Sequence, residues 1–324
     1  SINYITFVRN KLMPLISIVI PLYNKERFIK ETLDSVFNQS FTDYEIIIVN
    51  DGSTDSSVFI VNAIDDQRIT VLSNQNKGVS YARNFGISKA NSDLIALLDG
   101  DDLWEQNHLE NLYNLYEKFP DCGLYATAYN KKYFNGEKIK ASYNGLAKEY
   151  FGIIEDYFSA SIKDGIAWTS AVLIPMKTFR KVGVFDEEMR SGQDTDLWIR
   201  IALKDSVAFS SIASSNKIIL APKYHLSYST NRIDRLKLFE KFKAVELPTT
   251  SFKKYMDLNR FSVAIERKIA KDYINYRRLR NGIDPLNLNF KQRIILNMPS
   301  ILIGLLKRLQ NTLLRCNIYL SPFK

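Results

Sequence analysis

Residues 16–52 read ISIVIPLYNKERFIKETLDSVFNQSFTDYEIIIVNDG, and this stretch decides the fold. Its first six residues are mostly apolar and β-branched and end at Pro21, a pattern typical of a buried strand. Apolar residues near helical spacing predict a helix over residues 26–37, and residues 45–49, EIIIV, predict a second buried strand. The stretch therefore indicates a strand, a helix and a strand in succession.

The same alternation of strand and helix continues after this stretch. Strands are predicted at residues 69–72 and 94–98, and helices at residues 56–64 and 79–90. Near-continuous apolar strands that alternate with helices are typical of a mainly parallel sheet covered by helices on both faces. The predicted fold class is therefore α/β.

Polar residues follow these strands at the end where parallel sheets bind ligands. Tyr23 follows the first strand, Asp51 follows the second, and an acidic cluster at residues 99–102, DGDD, follows the fourth. Three carboxylates so close together repel one another unless a cation or several donors lie nearby, and Mg²⁺ or Mn²⁺ would remove this repulsion. The alternative is the start of a helix, whose dipole Asp101 and Asp102 would favour.

Composition limits the class of protein. With 324 residues, 46% of them hydrophobic, the chain can bury one good-sized core with an appendage or two modest domains. Cys122 and Cys316 have no metal-like spacing, so we expect neither a disulfide framework nor a zinc site, and a reducing compartment fits best. The opening residues, SINYITFVRNKLMP, lack the long apolar core of a signal peptide, so no export signal is expected.

Charge divides the chain near residue 231. Residues 232–324 hold 20 Lys and Arg against 7 Asp and Glu, whereas residues 1–231 hold 24 against 28. We predict an α/β catalytic domain over residues 1–231 and a basic, helical C-terminal extension over residues 232–324. The acidic N-terminal region argues against a nucleic-acid-binding core, and the basic extension would face an anionic partner such as a lipid surface or nucleic acid.

Leucines at helical spacing over residues 300–320 predict an amphipathic helix at the end of this extension. Its apolar part is too short and too interrupted by Lys307 and Arg308 to span a bilayer. The helix either lies on an anionic membrane surface or packs on the catalytic domain with its basic face in water.

Five ordered motifs carry a resemblance to a known family. The chain resembles a family 2 glycosyltransferase of the GT-A fold, of the bacterial polysaccharide-synthesis type, over roughly residues 15–230. The motifs are ISIVIPLYN, EIIIVNDGSTD, NKGVSYARNFGI, LLDGDDLW and GQDTDLWIRI. The resemblance implies inverting transfer of a sugar from a nucleotide-diphosphate sugar, with a UDP-sugar favoured, to a hydroxyl of a glycan acceptor. It also implies a divalent metal cofactor, Mn²⁺ or Mg²⁺.

The resemblance assigns donor and metal contacts to individual residues. The nucleotide-sugar contacts that it implies are Pro21, Tyr23, Asp51, Arg83 and Asp99. Asp51 would accept a hydrogen bond from the nucleobase, and Asp101 would bind the metal directly beside Asp99. His225 would contact the metal or the diphosphate, or is a simple loop histidine. Asp102 either caps a helix or joins the ligands.

The resemblance also implies a general base and an acceptor pocket. Asp194 would be the base, although the family usually has Glu-Asp where this chain has Gln193-Asp194. Asp196 is interpreted as a solvated or capping residue in the first turn of the next helix. Trp168 and Trp198 could shape the acceptor pocket, although buried aromatic side chains usually only pack.

Three other functions compete with this interpretation. A non-catalytic glycan-binding or scaffold relative is the main alternative, and the joint presence of Asp51, Asp99, Asp101 and Asp194 speaks against it. A sugar nucleotidyltransferase would carry a glycine-rich, basic loop after its first strand, where this chain has PLYNK. A glycoside hydrolase needs two opposed carboxyl groups but no nucleotide pocket.

Analogy with the family also gives an expected acceptor and an expected cellular location. The acceptor would be lipid-linked, in the synthesis of O-antigen, capsule or another cell-surface polysaccharide. The expected location is the cytoplasm, with the enzyme held peripherally on the inner face of the cell membrane.

Overall fold

The computed structural model describes residues 13–133, 136–219, 235–246 and 250–315. A central sheet of ten strands forms the middle of this part of the chain. The strands are β1 (Ile16–Leu22), β2 (Tyr44–Asn50), β3 (Ile69–Ser73), β4 (Leu94–Leu97), β5 (Leu103–Trp104), β6 (Leu124–Tyr133), β7 (Lys138–Lys140), β8 (Phe151–Ile153), β9 (Val172–Pro175) and β10 (Val207–Ile219).

Helices cover the sheet and follow it in the chain. The helices of the catalytic part are α1 (Ile29–Phe37), α2 (Ser57–Asn62), α3 (Val79–Lys89), α4 (His108–Lys118), α5 (Tyr157–Ala160), α6 (Met176–Val182) and α7 (Gln193–Ala202). The helices that follow are α8 (Arg235–Lys241), α9 (Lys243–Glu246), α10 (Thr250–Ile269), α11 (Tyr273–Asn281), α12 (Phe290–Asn297) and α13 (Ser300–Arg315). The predicted α/β class with C-terminal helices is confirmed.

The main path of the sheet runs β3-β2-β1-β4-β9-β6-β10-β5. Strands β3, β2, β1 and β4 are mutually parallel, and β6 is parallel to β10. Strand β9 is antiparallel to both β4 and β6, so β6 and β10 point the same way as β1. The principal strands therefore share one direction, and their carboxyl ends meet at one edge, where α/β sheets bind ligands.

Both faces of the parallel half are covered, which explains its unbroken apolar strands. Alternate residues of a strand point to opposite faces, so Ile18 and Ile20 pack in one core and Val19 packs in another. Helix α3 lies so close to the sheet that a Cβ on Gly86 would be 2.5 Å from Cγ1 of Val19. A glycine at residue 86 thus permits the close approach of helix and sheet.

The C-terminal helices pack on the catalytic part. Phe252 of α10 and Phe158 of α5 have ring centroids 4.5 Å apart, and both belong to the core that contains Trp198 and Phe209. The domain boundary at residue 231 stays a prediction, but apolar side chains from both sides of it share one core. Among the described helices, none combines the length and apolar character that a bilayer span requires.

Candidate active site

The loops that follow β1 and β2 are hydrogen-bonded to each other. The Asn24 amide donates to Oγ of Ser53 at 3.2 Å, and the Thr54 amide donates to Oδ1 of Asn24 at 2.8 Å. The Lys25 amide donates to Oγ of Ser57 at 2.7 Å. These bonds hold the chain after β1 over the carboxyl edge of the sheet.

Two residues of the predicted base pocket lie at this edge. Pro21 is the sixth residue of β1 and pairs in register with Val49 of β2. Tyr23 directly follows β1 and is partly exposed. Their contact with a nucleobase stays a prediction.

Asp51 joins the end of β2 to the start of α3. Its two carboxylate oxygens accept hydrogen bonds from the amides of Lys77 and Gly78, at 2.9 and 2.8 Å. Each oxygen retains a further lone pair, so a hydrogen bond from a nucleobase remains chemically feasible. In this structure Asp51, which is 4% exposed, positions the loop before α3.

The first residue of the acidic cluster pairs with a buried arginine. Nη2 of Arg83, on α3, donates to Oδ1 of Asp99 at 2.5 Å, and the guanidinium carbon lies 5.1 Å from the ring centroid of Phe185. Arg83 is 4% exposed, and its Nε and Nη1 have no hydrogen-bond partner among the described residues. Buried donors of this kind are normally satisfied, so a ligand with acceptor oxygens fits beside Arg83.

The third residue of the cluster pairs with a lysine from another loop. Nζ of Lys25 forms an ion pair with Oδ2 of Asp101, and both side chains are largely buried. The carboxylates that were expected to repel one another thus have cationic partners within the protein, Arg83 for Asp99 and Lys25 for Asp101.

Asp102 is bound within the fold, and its role among the metal ligands stays a prediction. It is buried, and its carboxylate accepts hydrogen bonds from Oγ of Ser170 at 2.7 Å and from the Ile218 amide at 3.0 Å. The helix-cap interpretation is wrong because residues 103 and 104 form β5 and α4 begins only at His108. Burial raises the pKa of Asp102 well above its usual value, and the charges of Asp101 and Asp99 raise it further.

The donor set of the cluster fits a metal that is shared with a substrate phosphate. The described residues hold no group of three or more His, Cys, Asp or Glu side chains that could bind a metal ion by themselves. Mg²⁺ and similar ions are commonly bound by one or two carboxylates together with phosphates and water, and Asp99 and Asp101 meet that requirement. His225, the third predicted metal contact, lies outside the described residues.

Asp194 is the second residue of α7, and a left-handed glycine precedes this helix. Gly192 precedes the helix with φ +83°, a backbone conformation that favours glycine. Oδ1 of Asp194 accepts a hydrogen bond from the Thr195 amide at 2.7 Å, whereas no described residue donates to Oδ2. The carboxylate is partly exposed, as a group that meets a substrate must be.

Two buried tyrosines lie near Asp194. Burial raises the pKa of Tyr255, on α10, and the negative charge of Asp194 raises it further. Burial likewise raises the pKa of Tyr157, on α5, with smaller contributions from Tyr255 and Asp194. Helix α10 of the basic extension therefore contributes a side chain to the surroundings of Asp194.

The interpretation of Asp196 as a solvated or capping residue is wrong. Its side chain is fully buried and forms ion pairs with Nη2 of Arg200 at 2.8 Å and Nζ of Lys241 at 2.7 Å. Lys241 is the last residue of α8, so Asp196 joins α7 to the C-terminal helices.

The two tryptophans assigned to the acceptor pocket are buried. Trp168 packs against Tyr129 with ring centroids 4.9 Å apart, and the Nζ of Lys217 lies 5.5 Å from its ring centroid. Trp198 packs edge-on against Phe185 at 6.3 Å. Their contact with an acceptor stays a prediction.

Comparison with known protein families gives a match over the N-terminal part of the chain. The sequence model of glycosyl transferase family 2 matches residues 17–186, which is more than half of the chain. The chain belongs to this family. It is a glycosyltransferase, and the resemblance seen in the five motifs is confirmed.

Relatives of this glycosyltransferase include uncharacterized bacterial proteins. An uncharacterized glycosyltransferase of Rickettsia typhi is 29% identical over 231 residues, which are 69% of this chain and 68% of the relative. The crystal structure of S. aureus TarS matches with a TM-score of 0.59 and 18% identity, over 74% of this chain and 42% of TarS. Residues 1–349 of TarS in complex with UDP-GlcNAc match with a TM-score of 0.56 and 16% identity, over 83% and 93% of the two chains. The likeness to TarS confirms the GT-A fold.

Sequence reasoning found the acidic residues of the glycosyltransferase site and missed their partners. The missed residues are Lys25, Tyr157, Ser170, Ile218 and Tyr255. Lys25 carried a usable signal, because it follows β1 and Asp101 follows β4, which are neighbouring parallel strands. The other four carried no comparable signal, because their proximity depends on how distant segments pack.

Proposed function

We propose that this glycosyltransferase moves a sugar from a nucleotide-diphosphate sugar, a UDP-sugar, to a hydroxyl of a glycan acceptor. The observation that carries the proposal is the buried guanidinium of Arg83 beside Asp99, whose Nε and Nη1 have no hydrogen-bond partner among the described residues. A diphosphate would supply the acceptor oxygens that these donors need. TarS, which has the same fold, has been crystallised with UDP-GlcNAc, and this favours uridine as the base.

The acidic cluster supports a metal-dependent reaction. Asp99 and Asp101 would hold Mn²⁺ or Mg²⁺ together with the diphosphate, with Asp101 as the main ligand. When bound, the metal would offset the negative charge that develops on the departing nucleoside diphosphate. Arg83 adds a second positive charge on the same side and holds Asp99 in place.

Asp194 is the proposed general base. Its Oδ2 accepts no hydrogen bond from the described residues, so it is available to take the proton of an attacking hydroxyl. A single base of this kind suffices for direct displacement at the anomeric carbon, which inverts its configuration. We propose this inverting mechanism for the chain.

The proposed acceptor is a lipid-linked glycan in O-antigen, capsule or other cell-surface polysaccharide synthesis. The support is family analogy together with the basic C-terminal region, which holds 20 Lys and Arg against 7 Asp and Glu. An acceptor on a lipid would bring the enzyme to the inner face of the cell membrane.

The proposal is tested by separating donor binding from transfer. A panel of nucleotide sugars is screened by thermal shift with and without Mn²⁺, and a UDP-sugar should raise the melting temperature only with the metal. Asp194→Asn should then bind this donor as the wild type does but turn over about 10² to 10⁴ times more slowly. Asp93→Asn, which changes a highly exposed carboxylate, is the matched control and should retain full activity.

The outcomes distinguish the proposed roles. Near-normal turnover of Asp194→Asn would remove Asp194 as the base while leaving the donor assignment intact. If another nucleotide sugar stabilised the protein and no UDP-sugar did, the assignment of uridine to the donor would be wrong. If no nucleotide sugar binds and none is turned over, the glycan-binding or scaffold alternative is correct instead.

A further inference from the structure

Helix α13 exposes a broad apolar face. The five residues of this face are Ile301, Leu302, Leu305, Leu306 and Leu309, each at least 45% exposed. Their spacing of one, three and four residues places them on one side of a helix. Ile303 is buried and lies on the side of α13 that packs on α10. The helix thus contacts the rest of the protein along a narrow strip and leaves most of its apolar surface in solvent.

Helix α12 extends the apolar surface. Phe290 and Ile294 of this helix are 72% and 45% exposed. A cavity of about 590 Å³ lies between α10, α12 and α13, and it is lined by Ile294, Leu306 and Leu309 among others. Since these three residues are also exposed, the cavity opens on the same surface. Contiguous exposed apolar surface of this kind marks an interaction site.

The surface is strongly basic as well as apolar. Between residues 273 and 315 the chain has eight Lys and Arg and one acidic residue, Asp284. Lys291 and Arg293 lie on α12, and Lys307 and Arg308 lie on α13 beside its apolar face. An apolar helical face bordered by basic residues is complementary to an anionic lipid bilayer, which offers acyl chains below a layer of negative headgroups.

We propose that α12 and α13 form a docking surface for an anionic lipid bilayer. The apolar side chains of both helices enter the boundary between headgroups and acyl chains, and the basic side chains contact the headgroups. Helix α13 has 16 residues and is about 24 Å long, which is shorter than a hydrocarbon core of about 30 Å. Because one side of it is apolar and basic residues border that side, the proposed orientation is along the membrane surface.

Helix α10 links this surface to the candidate active site. Tyr255 lies in the first half of α10, where the negative charge of Asp194 adds to the rise of its pKa that burial causes. Ile265 lies in the second half of α10 and lines the cavity under α12 and α13. Ten residues of helix separate them by about 15 Å. Docking would therefore hold Asp194 at a fixed distance from the headgroups, within reach of a lipid-linked acceptor. This last step rests on the proposed function, whereas the docking does not.

Vesicle co-sedimentation of the full chain tests the docking surface. The chain should bind vesicles that contain phosphatidylglycerol, bind phosphatidylcholine vesicles much more weakly, and lose affinity as salt is raised. Ile301→Glu and Leu305→Glu should each lower the partition coefficient about tenfold or more, because each buries a charge in place of an apolar side chain. Phe59→Glu is the matched control, since Phe59 and Ile301 are both 77% exposed, and it should bind as the wild type does.

Further measurements distinguish a membrane-docking surface from a dimer interface and from a loss of folding. The variants should keep the melting temperature of the wild type and its stabilisation by the donor. The substituted side chains are exposed and belong neither to the core nor to the proposed donor site. The proposal would be overturned if the wild-type protein did not bind phosphatidylglycerol vesicles. It would also be overturned if Ile301→Glu bound them as strongly as the wild type does. A change of oligomeric state in Ile301→Glu, seen by sedimentation velocity without a change in vesicle binding, would show that a second copy covers the face instead.

Discussion

Lys25 forms an ion pair with Asp101, the main ligand of the proposed metal. Its ammonium group contacts Oδ2 of Asp101, and the two side chains are 18% and 24% exposed, so solvent screens the pair only in part. A divalent cation must compete with this ammonium for the same oxygens. The ion pair offsets the negative charge of Asp101, as Arg83 does for Asp99.

We expect Lys25→Met to bind Mn²⁺ more tightly than the wild type in the absence of a nucleotide sugar. The gain should be several-fold to about tenfold, because one competing charge is removed from Asp101. Isothermal titration calorimetry or the electron paramagnetic resonance signal of free Mn²⁺ measures it. Lys30→Met is the matched control, since Lys30 pairs with Asp34 on the exposed side of α1. Equal Mn²⁺ affinities for the wild type and Lys25→Met would contradict this role.

His108 makes the stability of the fold depend on pH. It is fully buried, its Nδ1 lies 2.8 Å from Oγ of Ser214, and burial lowers its pKa to about 3. The folded protein therefore holds the neutral ring, whereas the unfolded chain takes up a proton near pH 6.5. The stabilisation is complete above about pH 6.5 and is lost as the pH falls towards 3, by up to about 1.4 kcal/mol per pH unit.

The prediction is a free energy of unfolding that declines more steeply in the wild type than in His108→Gln between about pH 6 and pH 4. The carboxylates titrate in both proteins, so the difference between the two curves isolates the histidine. Urea unfolding at several pH values measures it. Parallel curves would show that His108 is not the group responsible.

The sequence identified single residues of the site better than their contacts. Asp99 and Asp101 were found because their chemistry is visible locally, as several carboxylates at the end of a strand. The hydrogen bonds of Asp102 were not predicted, because their donors are distant in the sequence. Ser170 lies 68 residues further along the chain and Ile218 lies 116 residues further along. Ser170 precedes β9, which is inserted between β4 and β6, and Ile218 lies on β10, which pairs with β5. No local pattern predicts that strand order.

At the scale of elements, strands β1 to β4 were predicted within one residue of their ends. Strands β1, β2 and β4 are buried on both faces, so almost every side chain is apolar and the pattern is plain. Strand β10 is less clear in the sequence because it buries small polar residues. Ser210, Ser214 and Ser215 are completely buried there, so this buried strand has no continuous apolar run.

The contact between α3 and the sheet gives a prediction at this scale. Gly86→Ala should lower the free energy of unfolding by roughly 1–3 kcal/mol, because the added methyl group would lie 2.5 Å from Cγ1 of Val19 and 3.2 Å from Cγ2 of Val49. Gly304→Ala is the matched control, since Gly304 is also helical and has no atom within 4 Å of its Cβ position. That variant should be stabilised by about 0.5–1 kcal/mol through helix propensity. Urea unfolding of the two variants compares them, and an unchanged Gly86→Ala would rule out the close contact.

At the scale of the whole molecule, the difference in charge between the two regions does not separate their cores. The basic extension packs apolar side chains on α5 and forms an ion pair with α7, and one core contains Phe252, Phe158 and Trp198. A buried ion-pair network of Glu246, Asp257 and Arg260 lies beside this core. Charge identifies surface properties, whereas the core decides which segments fold together.

Unfolding should therefore be a single cooperative transition of both regions. Two independent domains would give two transitions in calorimetry, with the nucleotide sugar stabilising only the first region. Phe252→Ala removes a fully buried ring of the extension and should lower the stability of the whole chain by about 3–5 kcal/mol. Ile301→Ala, which changes an exposed residue of the same extension, should have little effect. If Phe252→Ala split the transition in two, or left the donor-stabilised transition unmoved, the extension would be a separate domain as its charge predicted.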